Sequence, residues 1–156
     1  MIKRVSDLDS CELLAEIYNS AIMLFPKNER ADITADAFAQ QMKDDINYIY
    51  FDETEKAKAF FSYKVYSDNV YELTSLYVSR DVQRLGVGGK CMEFFEAQIP
   101  KNSIVYIKVL RNAPWSIEFY EKTGFIDASA DAEYVKSKYG ISIHKWSTLM
   151  KKEISR

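Results

Sequence analysis

The sequence contains little cysteine, histidine, glycine or proline, and it has no long apolar run. Its two cysteines, Cys11 and Cys91, form no C-x-x-C pair, and only one histidine is present, so neither a disulfide framework nor a zinc site is expected. A transmembrane helix needs about 18 successive apolar residues, which are absent, and the amino terminus does not have the pattern of a signal peptide. We therefore expect a cytoplasmic protein that does not enter a membrane.

The balance of charges excludes a further class of partner. The formal net charge of -2 provides no broad basic field for a phosphate backbone, so we do not expect nucleic acid to bind. What the sequence has in quantity is hydrophobic and aromatic residues, at 47% and 14%. This composition is far from that of a disordered segment, and 156 residues suffice for one core but not for two ordinary domains. We therefore expect a single globular domain over residues 1–156.

The residue pattern predicts a mixed α/β (α+β) fold, with a mostly antiparallel central sheet flanked by helices. Ser6 and Asp9 resemble a capping box for a first helix that extends to about Met23, and Thr34 is the predicted cap of a second helix. Runs of β-branched and aromatic residues then predict three strands joined by polar turns. In order, the predicted elements are strand 1–5, the two helices, strands 48–51, 59–66 and 71–78, a helix after Gly89 that ends at Pro100, strand 104–109, a helix from residue 112 that Gly124 closes, a strand from residue 125 and a strand near 146–150.

The most informative stretch is Gln-Arg-Leu-Gly-Val-Gly-Gly-Lys at residues 83–90, between a predicted strand and a predicted helix. Three of its residues are glycines, which permit a tight turn and leave no Cβ between the backbone and an approaching anion. The start of the helix adds unpaired N–H groups and the positive end of the helix dipole. This combination predicts a binding site for a pyrophosphate.

Other phosphate loops have different spacings. A Walker A loop needs glycine at the position of Arg84 and serine or threonine at the position of Cys91. A dinucleotide fingerprint places its third glycine at the position of Cys91, so both spacings fail. The remaining alternative is a turn whose glycines bind no ligand and only satisfy the backbone geometry.

Residues 83–88 fit the pattern Q/R-x-x-G-x-G/A and come shortly after the strand residues Leu76, Tyr77 and Val78. Residues 117–125 fit a second pattern, a helix that ends in F-Y-x-x-x-G-F. With both signatures in this order, the chain resembles the GNAT superfamily of N-acetyltransferases. The resemblance implies a sheet with a splayed pair of parallel strands, here the strand ending at Val78 and strand 104–109.

The same resemblance implies an activity and its participants. Acetyl-CoA would be the co-substrate, no metal would be needed, and the acetyl group would pass directly to a primary amine of a small molecule or a protein. Direct attack on a thioester needs no covalent intermediate, so the lack of a Cys-His or Ser-His-Asp set does not count against this interpretation. A homodimer is common among such proteins.

The resemblance also assigns roles to particular residues. Tyr120 stands where the family usually has the acid that protonates the leaving thiolate, and Glu72 stands at a strand position that carries the base in some members. Glu72 precedes Leu76 by four residues, so strand alternation would put both on the face of Thr74. The family's pantetheine-binding asparagine falls on Ala113, which leaves its neighbour Asn112 as a candidate one residue early. The implied coenzyme-binding residues are Leu76, Tyr77 and Val78 for pantetheine and the acetyl carbonyl, and Arg84, Leu85, Gly86, Val87, Gly88 and Gly89 for the pyrophosphate.

Several alternatives remain open at this level. Tyr120 is also explained as a core residue at a helix end, and Glu72 as a solvated or substrate-orienting carboxylate, with a water chain as the base. The whole domain is also explained as a non-catalytic sensor that binds acyl-CoA. The acceptor amine is not identified, because the first two helices and residues 131–140 show no recognisable motif.

Overall fold

The computed structural model describes residues 1–5, 10–29 and 32–155. This part of the chain forms seven strands and five α-helices, joined by short 3₁₀ turns. The strands are β1 (Ile2–Val5), β2 (Ile46–Phe51), β3 (Ala57–Ser67), β4 (Val70–Val78), β5 (Ile104–Leu110), β6 (Ile126–Asp127) and β7 (Ser147–Glu153). The helices are α1 (Cys11–Ala21), α2 (Ala35–Met42), α3 (Val87–Gln98), α4 (Pro114–Lys122) and α5 (Ala132–Tyr139).

The seven strands belong to one sheet with the order β1-β2-β3-β4-β5-β7-β6. The pairs β1–β2, β2–β3, β5–β7 and β6–β7 are antiparallel, whereas β4 and β5 run parallel. Helix α3 connects the two parallel strands, as a parallel pair requires a crossover rather than a tight turn. The predicted mixed fold with a mostly antiparallel sheet is confirmed.

The chain divides into two compact units. The first unit comprises Met1–Lys64 and Thr74–Gln98, and the second comprises Val65–Leu73 and the chain from Ile99 onward. The core of the first unit contains the buried residues Leu14, Ile17, Phe38, Ile49 and Phe60. The core of the second unit contains Val70, Tyr106, Val135, Ile141 and Leu149. A single domain over the whole chain stays a prediction.

The two amino-terminal helices follow the predicted signals where the structure describes them. Thr34 caps α2, since its side-chain oxygen accepts a hydrogen bond of 3.2 Å from the Ala37 N–H. Phe38 and Met42 lie on the buried side of α2, as their spacing predicts. Helix α1 ends at Ala21 and continues as a 3₁₀ turn to Leu24, close to the predicted end. The predicted capping box of residues 6–9 lies outside the described residues.

The largest difference from the predicted elements is helix α5, which no sequence pattern indicated. Val135 is its only fully buried residue, and the two apolar residues at helical spacing from it, Ala132 and Tyr139, are partly buried. Its carboxyl end is marked by Gly140, whose φ of 74° is the left-handed conformation that favours glycine. The predicted strand that starts near residue 125 is β6, which contains Ile126 and Asp127.

Candidate functional site

The glycine-rich segment forms a turn that opens helix α3. Strand β4 ends at Val78 and α3 begins at Val87. The first i→i−4 hydrogen bond of the helix is donated by the Lys90 N–H to the Gly86 carbonyl, at 3.1 Å. The amides of Val87 to Gly89 therefore lie in the first helical turn, where no preceding helical carbonyl faces them. An anion at this helix end would meet several N–H donors and the positive end of the dipole.

Two residues of the turn have left-handed backbone conformations. Gly86 has φ of 82°, and Arg84, two residues earlier, has φ of 67°. A Cβ built on Gly86 meets no protein atom within 4 Å, so the backbone angle and not steric crowding accounts for glycine at this position. A Cβ on Gly89 is equally free of contacts. The space along the turn is open, and Leu85 is 68% exposed, so a ligand has access to the backbone.

Side chains hold the turn against the end of β4. Gln83 donates a hydrogen bond of 3.0 Å from Nε2 to the Val78 carbonyl, which explains the first residue of the motif as a clamp between turn and strand. Asp81 forms an ion pair with Lys58 on β3, and hydrogen bonding to Lys58 lowers the pKa of Asp81. The Ser79 N–H donates to the Lys58 carbonyl at 2.7 Å. Sequence reasoning missed Lys58, because only strand pairing brings it to this turn.

Helix α1 is attached to the same turn. The Ser20 and Ser79 hydroxyl oxygens lie 3.1 Å apart, and the Arg80 N–H donates to the Ser20 hydroxyl at 2.9 Å. The Tyr77 ring packs against Tyr18, with 5.0 Å between ring centroids, and burial raises the pKa of Tyr77 to about 12. The side chain of Tyr77 thus belongs to the core of the first unit.

The predicted pantetheine strand lies beyond the ladder between β4 and β5. This ladder extends from the pair Val70 and Ile104 to the pair Leu73 and Ile107, whereas β4 itself continues to Val78. A strand residue that lacks a partner on one side presents backbone N–H and C=O groups in the plane of the sheet. Leu76, Tyr77 and Val78 lie in this part of β4, as the prediction requires.

Strand β4 departs from regular alternation in the same region. Tyr77 packs against Phe60, with 5.4 Å between ring centroids. Thr74 donates a hydrogen bond of 2.8 Å to Asp45, whose other oxygen lies 3.7 Å from Lys64 Nζ. Phe60 and Lys64 share a face of β3, so Thr74 and Tyr77 both lie on that side although they are three residues apart. Alternation is therefore irregular at one point between Thr74 and Tyr77, and the expectation that Leu76 shares the face of Thr74 stays a prediction.

Glu72 is buried and has two partners in the second unit. Its relative exposure is 3%. Its Oε1 accepts a hydrogen bond of 2.7 Å from the Tyr66 hydroxyl, and its Oε2 lies 3.4 Å from Lys108 Nζ. The interpretation of Glu72 as a solvated strand carboxylate is therefore wrong. Sequence reasoning missed both Tyr66 and Lys108. Tyr106 is the strand partner of Glu72 on β5, and Lys108 is two residues further along that strand.

Tyr120 is half-buried on helix α4, none of whose residues is fully buried. Its ring contacts Phe119 and Phe125, with centroid distances of 5.2 and 5.5 Å. The turn after the helix also fixes its position, because the Tyr120 carbonyl accepts a hydrogen bond of 2.9 Å from the Phe125 N–H. Asn112 is exposed in the turn before α4, whereas Ala113 is buried. The predicted residues of the second unit are thus Glu72, Asn112 and Tyr120, and those of the first are the turn and residues 76–78.

Neither cysteine has the environment of a nucleophile. Cys11 and Cys91 are both free thiols and both buried. Burial raises the pKa of Cys91 to about 12, so the reactive thiolate is disfavoured. Over the described ranges, no group of three or more His, Cys, Asp or Glu side chains is placed to hold a metal ion. Within those ranges there is also no helix with the length and apolar character needed to cross a membrane.

Comparison with family models gives a match over most of the chain. Residues 13–125 match the model described as Acetyltransferase (GNAT) family. The match includes the glycine-rich turn, Glu72 and Tyr120. No curated protein matches the sequence significantly.

Solved structures share the fold along its full length. An acetyltransferase from Thermus thermophilus has a TM-score of 0.76 at 14% identity, covering 99% of this chain and 97% of that one. The ribosomal-protein-S18-alanine N-acetyltransferase from Escherichia coli has a TM-score of 0.71 at 18% identity, covering 100% and 96%. The PaiA N-acetyltransferase from Thermoplasma acidophilum, in complex with coenzyme A, has a TM-score of 0.69 at 14% identity, covering 98% and 99%. At these identities the likeness shows the fold alone.

Proposed function

Because the chain belongs to the acetyltransferase (GNAT) family, we propose that it is an N-acetyltransferase that moves the acetyl group of acetyl-CoA directly to a primary amine. The observation that carries this proposal is the turn at the start of α3. Its left-handed Gly86, its open backbone and its unpaired first-turn amides suit a diphosphate. Membership of the family supports an acyltransferase, and acetyl transfer to nitrogen is the more specific step that we propose.

The coenzyme would be held by backbone atoms more than by side chains. The amides of Arg84 to Gly89 would donate to the pyrophosphate oxygens, and charge-assisted bonds of this kind contribute about 1.5–3 kcal/mol each. The strand residues Leu76, Tyr77 and Val78 would pair with the amide groups of pantetheine as they would with another strand. Asn112, exposed in the turn before α4, stays a weaker candidate for a pantetheine contact.

The same strand would stabilise the oxyanion that forms when the amine attacks the thioester. An N–H group of β4 near Leu76 is already oriented by the sheet, so it needs no reorganisation during the reaction. Removing one such donor from other enzymes costs about 3 kcal/mol of transition-state stabilisation. Because the amine attacks directly, the high pKa of the buried Cys91 is no obstacle.

Two side chains would move the protons of the reaction. Tyr120 would protonate the leaving thiolate, since its phenol is a donor whose orientation the contacts with Phe119 and Phe125 maintain. Glu72 would be the base that accepts a proton from the substrate ammonium. Its carboxylate is buried between Tyr66 and Lys108, so the proton must reach it past one of these partners.

The acceptor would be a primary amine of a small molecule or a protein. Two neighbours in fold illustrate the range, since one is named a ribosomal-protein-S18-alanine N-acetyltransferase and another a putative phosphinothricin N-acetyltransferase. A homodimer, a cytoplasmic location and the absence of nucleic-acid partners stay predictions from the sequence.

Thiol release from acetyl-CoA tests the proposal. The purified protein would be incubated with four amines: spermidine, phosphinothricin, a peptide with a free amino-terminal alanine, and an amino-blocked peptide with one lysine. We expect amine-dependent thiol release, and mass spectrometry should find one acetyl group on the amine. Isothermal titration with coenzyme A is the parallel measurement. Coenzyme binding without turnover on any amine would favour a non-catalytic sensor, and no binding would refute the site itself.

A further inference from the structure

The environment of Glu72 leaves two ways for a proton to reach its carboxylate. Oε1 is covered by the Tyr66 hydroxyl at 2.7 Å, and Oε2 faces Lys108 Nζ at 3.4 Å. The Glu72 side chain is 4% exposed, whereas Lys108 is 35% exposed and Tyr66 is half-buried. Both partners are thus more accessible than the carboxylate that they cover. A substrate ammonium would meet one of them before it could approach Glu72.

The chemistry of Tyr66 and Lys108 decides which of them the proton passes. A lysine ammonium has three donors and no acceptor, so Lys108 cannot receive a proton while it is charged. A tyrosine hydroxyl both donates and accepts, so Tyr66 can receive one proton as it gives up another. We propose that Tyr66 contacts the acceptor ammonium and relays its proton to Glu72, an inference that rests on the acetyltransferase function proposed above.

Tyr66 donates its hydroxyl hydrogen bond to Glu72, whereas the neighbouring Tyr106 has another partner. Tyr106, the strand partner of Glu72 on β5, donates instead to Asp131 at 3.2 Å. Burial, followed by the charge of Asp131, raises the pKa of Tyr106 to about 12. Lys151 Nζ lies 2.7 Å from the same Asp131 oxygen, which completes a separate network.

The position of the Tyr66 ring is fixed from the side of α5. The ring packs against Tyr139, with 5.5 Å between ring centroids, and Tyr139 in turn contacts Tyr134 at 6.1 Å. Tyr66 also packs against the core of the second unit. An oriented ring keeps the hydroxyl directed at Glu72 Oε1, which a relay requires. Lys108 acts as a positioning residue in this arrangement, since it holds the other carboxylate oxygen.

The relay balances the protons of the reaction. The ammonium N–H bond breaks as its proton moves to Tyr66 Oη, and the Tyr66 O–H bond breaks as that proton moves to Glu72 Oε1. The neutral amine then attacks the thioester carbonyl. As the C–S bond breaks, the nitrogen gives its second proton to Tyr120 Oη while the Tyr120 O–H proton passes to the sulfur. One proton ends on the coenzyme sulfur by way of Tyr120. The other returns from Glu72 through Tyr66 to solvent, so both side chains regain their starting states.

Two variants and their combination test the relay. Kinetics would be measured with acetyl-CoA and the best amine of the panel, for Tyr66→Phe, Glu72→Gln and the double variant. General acid–base catalysis contributes about 10²-fold to 10⁴-fold, so each single variant should lose at least about 10²-fold in kcat/KM near pH 7. Because the two groups act in one chain, the double variant should lose little more than either single variant. Independent roles would instead multiply the two losses and overturn the proposal.

The pH dependence separates a relay from a structural role. A lysine-type alkyl amine loses its proton near about 10.4 and a peptide α-amino group near about 7.7–8.0, so the substrate needs no base once the pH passes the pKa of its own amine. The deficits of Tyr66→Phe and Glu72→Gln should both shrink as pH approaches that value. A structural defect in the second unit would not recover in this way. A deficit of Tyr66→Phe that is constant with pH therefore contradicts the relay.

Tyr71→Phe is the matched control, because Tyr71 is a buried tyrosine next to Glu72 on β4 whose hydroxyl donates a long hydrogen bond of 3.4 Å to the Asp68 carbonyl. It should retain wild-type kinetics and pH dependence. Coenzyme affinity of every variant, measured by titration, should equal that of the wild type. If the wild type turns over an amine and Tyr66→Phe is as fast at pH 7, the relay alone is refuted. If the wild type turns over no amine, the acetyltransferase proposal fails first.

A measurement on the wild type covers the case in which Tyr66→Phe does not fold. The value of kcat/KM for the amine would be measured in mixtures of H₂O and D₂O. Two protons that move in one step give a curved dependence on the deuterium fraction. A linear dependence indicates one moving proton and overturns the relay.

Discussion

Replacement of Gly86 by alanine tests whether the backbone of the turn binds the coenzyme. Gly86 has φ of 82°, and a Cβ at this position meets no protein atom within 4 Å. The cost to the fold is therefore backbone strain without a clash, about 1–2 kcal/mol for a residue other than glycine. For a chain of 156 residues, each 1 kcal/mol should lower the melting temperature by about 2–4 °C.

The cost to coenzyme binding should be separate from this loss of stability. A turn that relaxes its strain moves the amides at the start of α3, and each charge-assisted bond lost is worth about 1.5–3 kcal/mol. The dissociation constant for coenzyme A should then rise about 10-fold to 100-fold for one lost bond. Isothermal titration gives the dissociation constant, and thermal unfolding monitored by circular dichroism gives the stability.

Gly140 provides the matched control for this experiment. Its φ of 74° is similar, and a Cβ there also meets no atom within 4 Å, but it closes helix α5 and is not part of the turn. Gly140→Ala should lose comparable stability and keep the coenzyme affinity of the wild type. If Gly86→Ala also keeps that affinity while losing stability, the turn does not bind the coenzyme through its backbone, and our reasoning about this site is wrong.

Three further predictions concern single groups. Tyr120→Phe should lower kcat and leave the KM for acetyl-CoA nearly unchanged, because the variant loses only proton transfer to the thiolate. If steady-state assays give the same kcat for the variant and the wild type, Tyr120 is not the acid. Stability should fall as the pH rises above about 8.5, where the thiol of Cys91 ionises in the unfolded chain, and more steeply above about 10, where the unfolded tyrosines ionise. The reason is that the pKa values of Cys91, Tyr77 and Tyr106 are all raised to about 12 in the folded protein. Unfolding midpoints in denaturant across this pH range provide the check. Cys91, which is 0% exposed, should react with a thiol reagent only after denaturant is added, and rapid labelling of the native protein at Cys91 would contradict its burial.

The sequence predicts features that depend on neighbouring residues. Thr34 caps α2 through the N–H three residues later, and the glycine spacing of residues 83–89 produces the turn that opens α3. Such signals involve residues a few positions apart in the sequence, so composition and spacing suffice to recognise them. The sheet is also predictable, because its strands have runs of β-branched and aromatic residues.

Features that depend on distant residues were not predictable in this way. The burial of Glu72 depends on Lys108, which the parallel register between β4 and β5 brings alongside it. The assumption of regular alternation along β4 did not predict the irregularity between Thr74 and Tyr77. That irregularity is seen only in the contacts of these side chains with Asp45 and Phe60. Helix α5 was missed because its eight residues are fewer than the window of about 11–18 residues over which helical periodicity is read.

The Ser20 hydroxyl has a consequence for protein engineering. It meets both the Ser79 hydroxyl and the Arg80 N–H, and so it joins the last turn of α1 to the segment that follows β4. A chimera that exchanges residues 11–29 with those of another acetyltransferase should therefore keep serine at position 20. Without that serine, the grafted segment and the coenzyme strand would lose their common anchor, and a change in amine preference would be confounded by misplacement of the thioester.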